Sequence, residues 1–217
     1  MNNFSGSGKN GLFLRVKTEM LRHAPFTAGG AVSGIILMFI FSKISSGSAL
    51  NIFYVLHPGH VFLSALVTAS MYELHKRGKL KEKYPLFWLL AIGYIGSVGI
   101  ATISDSLIPY IGEWLLGLPN KGTHLGFIEE WYIVNPLAVI GIAVAYFFPS
   151  TKFPHAAHIL LSTWASLFHI LSAGVITGVG SCVVVVFLFI AVWFPCCFSD
   201  IIFPLLFVEK GDVLHFH

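Results

Sequence analysis

The sequence predicts an all-α fold: a polytopic membrane bundle of six transmembrane helices, built as a 3+3 inverted repeat. Of the 217 residues, 56% are hydrophobic and only 11% are Asp, Glu, Lys or Arg, well below the roughly 25% charged fraction of an ordinary globular domain. The mean hydropathy is +0.80. The apolar residues form six segments long enough to cross a bilayer, and two short motifs occur twice in the same order.

The six predicted spans are separated by connections that contain most of the charged residues. They cover residues 24–42, 50–72, 86–111, 131–148, 156–178 and 181–208. Six spans of about 20 residues leave too little chain for a separate soluble domain. The predicted organisation is a tail at 1–23, a first three-helix repeat at 24–111, a connection at 112–130, a second repeat at 131–208 and a tail at 209–217. The first span, preceded by basic residues and followed by small ones, is also compatible with a signal peptide.

The basic residues predict how the spans are oriented. With the N-terminus in the cytoplasm, eleven of the thirteen Lys and Arg residues lie on the cytoplasmic side, as the positive-inside rule favours. Both termini are then cytoplasmic, and the 112–130 connection is extracytoplasmic. The net charge of +3 therefore reflects orientation in a lipid bilayer and does not indicate nucleic-acid binding. All three cysteines lie in one apolar stretch, which excludes a disulfide framework.

Two motifs are shared by the two halves of the chain. The pattern HxxHΦΦLS, where Φ is apolar, begins at His57 and again at His155, and the pattern SDxxxP begins at Ser104 and again at Ser199. The first His and the Asp are 48 residues apart in one half and 45 in the other. Because each unit has three spans, the two units would cross the membrane in opposite directions. Such inverted repeats are common in secondary transporters, whose substrate sites lie where the repeats meet.

The repeated His and Asp residues are the candidate binding groups. A charged side chain at the centre of a bilayer costs about 2.5–3.5 kcal/mol on insertion scales, so that a buried Asp indicates a functional site. Residues three and seven apart share a helix face, and two imidazoles with one carboxylate suit a divalent transition metal. We therefore predict an outer site at His57, His60 and Asp105, and an inner site at His155, His158 and Asp200.

Other polar residues lie close to these motifs. Cys196 and Cys197 share the Asp200 side of the last span, and a thiolate ligand, which we assign to Cys197, favours zinc or iron over magnesium or calcium. Ser64 and Ser162 are expected to form supporting hydrogen bonds rather than to bind the metal. The additional polar candidates are His169, which extends the second histidine stripe, and His23.

The leading functional prediction is a transporter of a divalent transition-metal ion, with proton exchange at the histidines as a means of release. A homodimer is compatible with a chain of this length. One alternative is a metal-dependent membrane enzyme that acts on a lipid, with His169 as the candidate general base. Another is a b-type cytochrome, with an outer haem between His60 and His169 and an inner haem between His158 and either His23 or His75. Composition does not discriminate between these functions.

Overall fold

The computed structural model is an all-α bundle. It describes residues 8–77, 86–176, 178–198 and 202–207, without the side chains of residues 8–20, 22–23, 26, 75–77, 152, 179, 197 and 205. In the described part of the chain, the helices are α1 (Gly8–Ile40), α2 (Ser46–Arg77), α3 (Leu86–Leu115), α4 (Gly126–Glu129), α5 (Trp131–Phe147), α6 (Lys152–Ala173), α7 (Val179–Cys197) and α8 (Phe203–Leu206).

Three helical segments are long and apolar enough to cross a membrane: Ser46–Leu74, Leu86–Leu115 and Phe153–Ala173. They fall on the second, third and fifth predicted spans. The first, fourth and sixth predicted spans fall on the shorter apolar segments Thr27–Ile40, Trp131–Phe147 and Gly180–Cys196. The three long apolar helices indicate a multi-pass membrane protein. The full count of six spans, the inverted relation of the halves and the cytoplasmic termini stay predictions.

Helix α3 is interrupted by two π-helical turns, at Ile95–Gly99 and Ile103–Leu107. A π turn adds a residue to the helical repeat and so changes the direction in which the following side chains point; such turns are frequent at functional sites. The second of them contains Asp105, whose side chain is fully buried. The sequence pattern predicts a regular α-helix here and does not indicate the π turns.

Helices α2 and α6 lie at the centre of the bundle and run antiparallel. Phe53 and His60 follow one another along α2, while their contacts on α6 occur in the reverse order, at His169 and His158. Helix α5 packs on α2, and α1 packs on α6 and α7. The α2–α6 interface is apolar at one end, where Phe53 joins a core cluster with Phe168 and Leu171. Farther along, it buries His57 and His60 of the first HxxH motif and His158 of the second.

Gly141 allows α5 to approach α2 closely. A Cβ atom at this position would lie 2.5 Å from the carbonyl oxygen of Phe62 and 3.0 Å from the Cβ of Ala65. Backbone atoms cannot move aside as a flexible side chain would, so we expect Gly141→Ala to destabilise the protein by about 1–3 kcal/mol. Thermal unfolding in detergent measures this loss. The matched control is Gly29→Ala, where no atom lies within 4 Å of the new Cβ; equal stability of the two variants would contradict the packing.

Candidate metal centre

Asp105 joins the two histidines of the first HxxH motif. The Nδ1–H groups of His57 and His60 donate to the same carboxylate oxygen, Oδ2, at 2.9 and 2.6 Å. All three side chains are buried, with at most 1% of their surface exposed. The spacing of the HxxH motif places both rings on one face of α2. The carboxylate opposite them lies in the π turn of α3, which regular helix geometry does not predict.

The second carboxylate oxygen of Asp105 is bound by hydroxyl groups. Oδ1 accepts hydrogen bonds from Ser104 Oγ at 2.7 Å and Ser162 Oγ at 2.9 Å. Ser166 Oγ donates to the carbonyl oxygen of Ser104 at 3.0 Å, which fastens α6 to the same turn of α3. Four donors therefore surround one carboxylate. A metal ion could bind an Asp105 oxygen only by displacing one of these donors, so the geometry gives Asp105 the role of orienting the imidazoles.

This hydrogen bonding determines which ring nitrogen is free to bind a ligand. A neutral imidazole that donates through Nδ1–H carries its lone pair on Nε2. In the described part of the chain, the Nε2 atoms of His57 and His60 are buried and have no hydrogen-bond partner. Buried polar atoms in folded proteins are almost always paired. An Asp that fixes Nδ1 and leaves Nε2 for a metal ion is the common arrangement around metal-binding histidines.

His60 lies against the second HxxH motif. Its ring is stacked on that of His158, with centroids 4.9 Å apart and an angle of 11° between the planes. Cys196, on α7, completes a group in which one donor atom each from His60, His158 and Cys196 lies within 4.8 Å of the others. Two imidazoles and a thiolate suit zinc, iron or copper, and three protein ligands leave one coordination position open.

A second set of donor atoms lies beside the first. His57, His60 and Asp105 also lie within 4.8 Å of one another, but ligation through Asp105 would disturb its four hydrogen bonds. The Nε2 edge of His57 faces the backbone of α4, where a Cβ on Gly126 would lie only 2.7 Å from that nitrogen. His57 is also stacked on Phe53, with a centroid distance of 5.2 Å. We call the set of His60, His158 and Cys196 the His60 centre; it could hold a metal ion without disturbing these hydrogen bonds.

The other predicted residues divide into three groups. His155 is half-buried beside the His60 centre, its ring 5.6 Å from that of His158, and Ser64 is buried one turn beyond His60 on α2. His169 lies apart from the centre, with its Nδ1 2.6 Å from Glu113 Oε1. Asp200 and the side chains of Cys197 and His23 lie outside the described residues. The predicted inner set is therefore seen only in part, and its His158 adjoins His60 rather than lying in a separate site.

Glu113 and the role of Ser104 as a donor to Asp105 were not predicted from the sequence, whereas Ser162 was expected to form a supporting hydrogen bond. Glu113 was assigned to the connection that begins at residue 112, whereas α3 continues to Leu115 and buries the Glu113 side chain completely. A usable signal was present: Glu113 follows Asp105 by eight residues, just over two helical turns. Ser104 belongs to the repeated SDxxxP motif and directly precedes Asp105, whereas the contact of Ser162 with Asp105 depends on how α6 packs against α3.

Comparisons with protein-family models, with curated proteins and with solved structures gave no match. The candidate centre is therefore assessed on its geometry. In the described part of the chain, the protein is all-α with long apolar helices, and two buried groups of His, Asp and Cys residues could hold a metal ion.

Proposed function

We propose that this protein is a membrane transporter of a divalent transition-metal ion, with zinc or iron as the first candidates. His60, His158 and Cys196 bind the ion, and Asp105 orients His60. The observation that carries the proposal is the His60 ring itself. Its Nδ1 is fixed by Asp105, while its buried Nε2 has no partner in the described part of the chain and the ring is stacked on His158.

The position of the centre supports transport. His60 lies near the middle of the predicted 50–72 span, and its partners come from α6 and α7 in the other half of the chain. Binding sites of secondary transporters lie near the membrane midplane, where two repeats meet and where helices are interrupted. The π turn at Ile103–Leu107 is such an interruption, and it carries Asp105. A site shared by both halves is suited to release its ion when the halves move relative to each other.

The ligand set also supports reversible binding. Histidine binds a metal only as the neutral ring and cysteine only as the thiolate, so protons compete with the metal for every ligand of the centre. Acidification therefore weakens binding, and a proton gradient can drive release. The open fourth position, which in a catalytic zinc site holds water, is the feature that favours the second candidate, a metal-dependent membrane enzyme. The cytochrome alternative is not favoured, because both ring nitrogens of His169 face oxygen atoms, on Glu113 and Thr123.

Vesicles reconstituted with the full chain and loaded with a zinc-sensitive dye test the proposal. We expect zinc entry well above that of empty vesicles, and a loss of more than about tenfold in His158→Gln, because a ligand is removed. Cys182→Ser is the matched control, since Cys182 is exposed and lies at the other end of α7. Tightly bound zinc that does not exchange, in a protein that transports no faster than empty vesicles, would contradict transport and favour the enzyme.

A further inference from the structure

A second buried ionisable pair lies on α3 and α6, away from the His60 centre. His169 Nδ1 is 2.6 Å from Glu113 Oε1, and neither side chain has any exposed surface. Neither residue belongs to the groups whose donor atoms could hold a metal. A buried acid and base are costly to keep in a membrane bundle unless they are paired, and the metal centre makes no use of them.

The connection between α3 and α4 covers this pair through backbone groups. The N–H of Gly122 donates to Glu113 Oε2 at 3.3 Å, and the carbonyl oxygen of Thr123 lies 3.5 Å from His169 Nε2. Both ring nitrogens of His169 thus face oxygen atoms. Only the imidazolium, with an N–H at each position, can donate to both. The pocket is therefore built for His169 carrying an additional proton, balanced by the charge of Glu113.

One aromatic ring separates this pair from His57, which shares the Asp105 carboxylate with His60. Phe53 contacts His169 edge-on at 5.1 Å and is stacked on His57 at 5.2 Å, so the rings of His169 and His57 lie no more than about 10 Å apart. His57 and the metal ligand His60 donate to the same oxygen of Asp105, and charges in a weakly polar interior interact over distances of this order. A divalent cation at the His60 centre and an imidazolium at His169 repel each other. By linkage, occupancy of either site weakens binding at the other by the same factor.

A route for the proton leads from the surface to His169. The ring of His124 lies 5.3 Å from that of His169 and lines a cavity of about 330 Å³ together with Lys121 and Ser172. Burial, and then the charge of His169, lower the pKa of His124, while the charge of Glu113 raises it. The groups that face it are Tyr54, with its hydroxyl 3.3 Å from Nδ1, and Glu129, with a carboxylate oxygen 3.5 Å from Nδ1. Lys121 donates to the carbonyl oxygen of Leu118 instead.

We propose that Glu113 and His169 form the binding site for the proton that this transporter exchanges for its metal ion. The inference rests on the proposed function. In the metal-free protein, His169 holds the proton as an imidazolium beside the Glu113 carboxylate. When the metal ion enters the His60 centre, the proton leaves Nε2 of His169, and His124 passes it to the cavity. His169 remains neutral, with its Nδ1–H donated to Glu113.

The test of this inference is a calorimetric titration of the purified full chain with zinc. The titration is carried out near pH 7 in several buffers that differ in ionisation enthalpy. The titration counts the protons released for each zinc ion bound. We expect Glu113→Gln and His169→Asn to bind zinc and to release about one proton fewer than the wild type. The matched control is Cys182→Ser, because Cys182 is exposed and belongs neither to the His60 centre nor to the Glu113–His169 pair. It should leave the number of released protons unchanged.

The outcomes separate this inference from the proposed function. If the wild type and both variants bind zinc and release equal numbers of protons, the pair keeps its proton throughout and is structural, which overturns the inference alone. If the wild type binds no zinc, both the proposed function and the inference fail. Agreement between Glu113→Gln and His169→Asn is required, because loss of the proton in only one of them would indicate a disturbed fold rather than a shared site.

Discussion

Replacing His60 with Gln should lower the zinc affinity of the purified protein by more than about 100-fold, beyond the range expected for a residue that only supports a ligand. His60 contributes Nε2 to the metal and links it to Asp105 through Nδ1, at 2.6 Å. The variant removes both contacts at once. Gln fills a similar volume, so packing between α2 and α6 is largely kept. Titration with zinc in detergent, with a competing chelator, measures the change.

The control for this prediction is His124→Asn, which alters a histidine outside the metal centre. It should leave the zinc affinity within about threefold of the wild type, since neither a metal ligand nor a residue hydrogen-bonded to one is changed. Unfolding measured on the same samples shows whether His60→Gln remains folded. A folded His60→Gln protein with wild-type zinc affinity would remove His60 from the ligand set. The stacked His60–His158 pair would then be a packing contact.

Replacing Asp105 with Asn should reduce zinc affinity by about tenfold to 100-fold and should not abolish binding. The amide oxygen of Asn can still accept from the two imidazoles, and its NH₂ group can donate to the hydroxyl oxygens of Ser104 and Ser162. What is lost is the negative charge, which makes these hydrogen bonds stronger and makes Nε2 a better metal ligand. The same titration measures the loss.

This result distinguishes two roles for Asp105. The sequence analysis predicted Asp105 as a direct ligand, and a direct ligand would cost at least as much affinity as His60. The structure surrounds the carboxylate with four donors, which favours the smaller loss. Affinity equal to that of the wild type would contradict both roles. Ser162→Ala, which removes one of the four donors, should lie between the wild type and Asp105→Asn.

Local patterns in the sequence predicted much of the helical framework. Hydropathy is a property of short windows, so the apolar segments locate α1, α2, α3, α5, α6 and α7 even where the lengths of these helices differ from the predicted spans. The repeated motifs identify His57, His60 and Asp105. The two histidines precede Asp105 by 48 and 45 residues in the sequence, and their Nδ1 atoms lie 2.9 and 2.6 Å from its carboxylate in the structure. Buried polar residues in an apolar chain are few, and the structure brings these three together.

The sequence pattern could not predict the contacts between the two halves of the chain. The spacing of residues along one helix does not determine which side chains of another helix they contact. The stacking of His60 on His158, and the proximity of Cys196 to both rings, therefore depend on how α2, α6 and α7 pack. The π turn around Asp105 breaks the regular periodicity on which such predictions rest. Glu113 was missed for a related reason: a carboxylate at the end of an apolar segment looks like the start of a polar connection until its partner, His169, is known.

X-ray absorption spectroscopy of the zinc-loaded protein tests the central claim most directly, because it reports the atoms bound to the metal. The account predicts one sulfur at about 2.3 Å and two imidazole nitrogens at about 2.0–2.1 Å. Cys196→Ser should remove the sulfur signal, while Cys182→Ser should retain it. A zinc shell of nitrogen and oxygen atoms alone, or a sulfur signal that survives Cys196→Ser, would contradict the assignment of the metal to His60, His158 and Cys196.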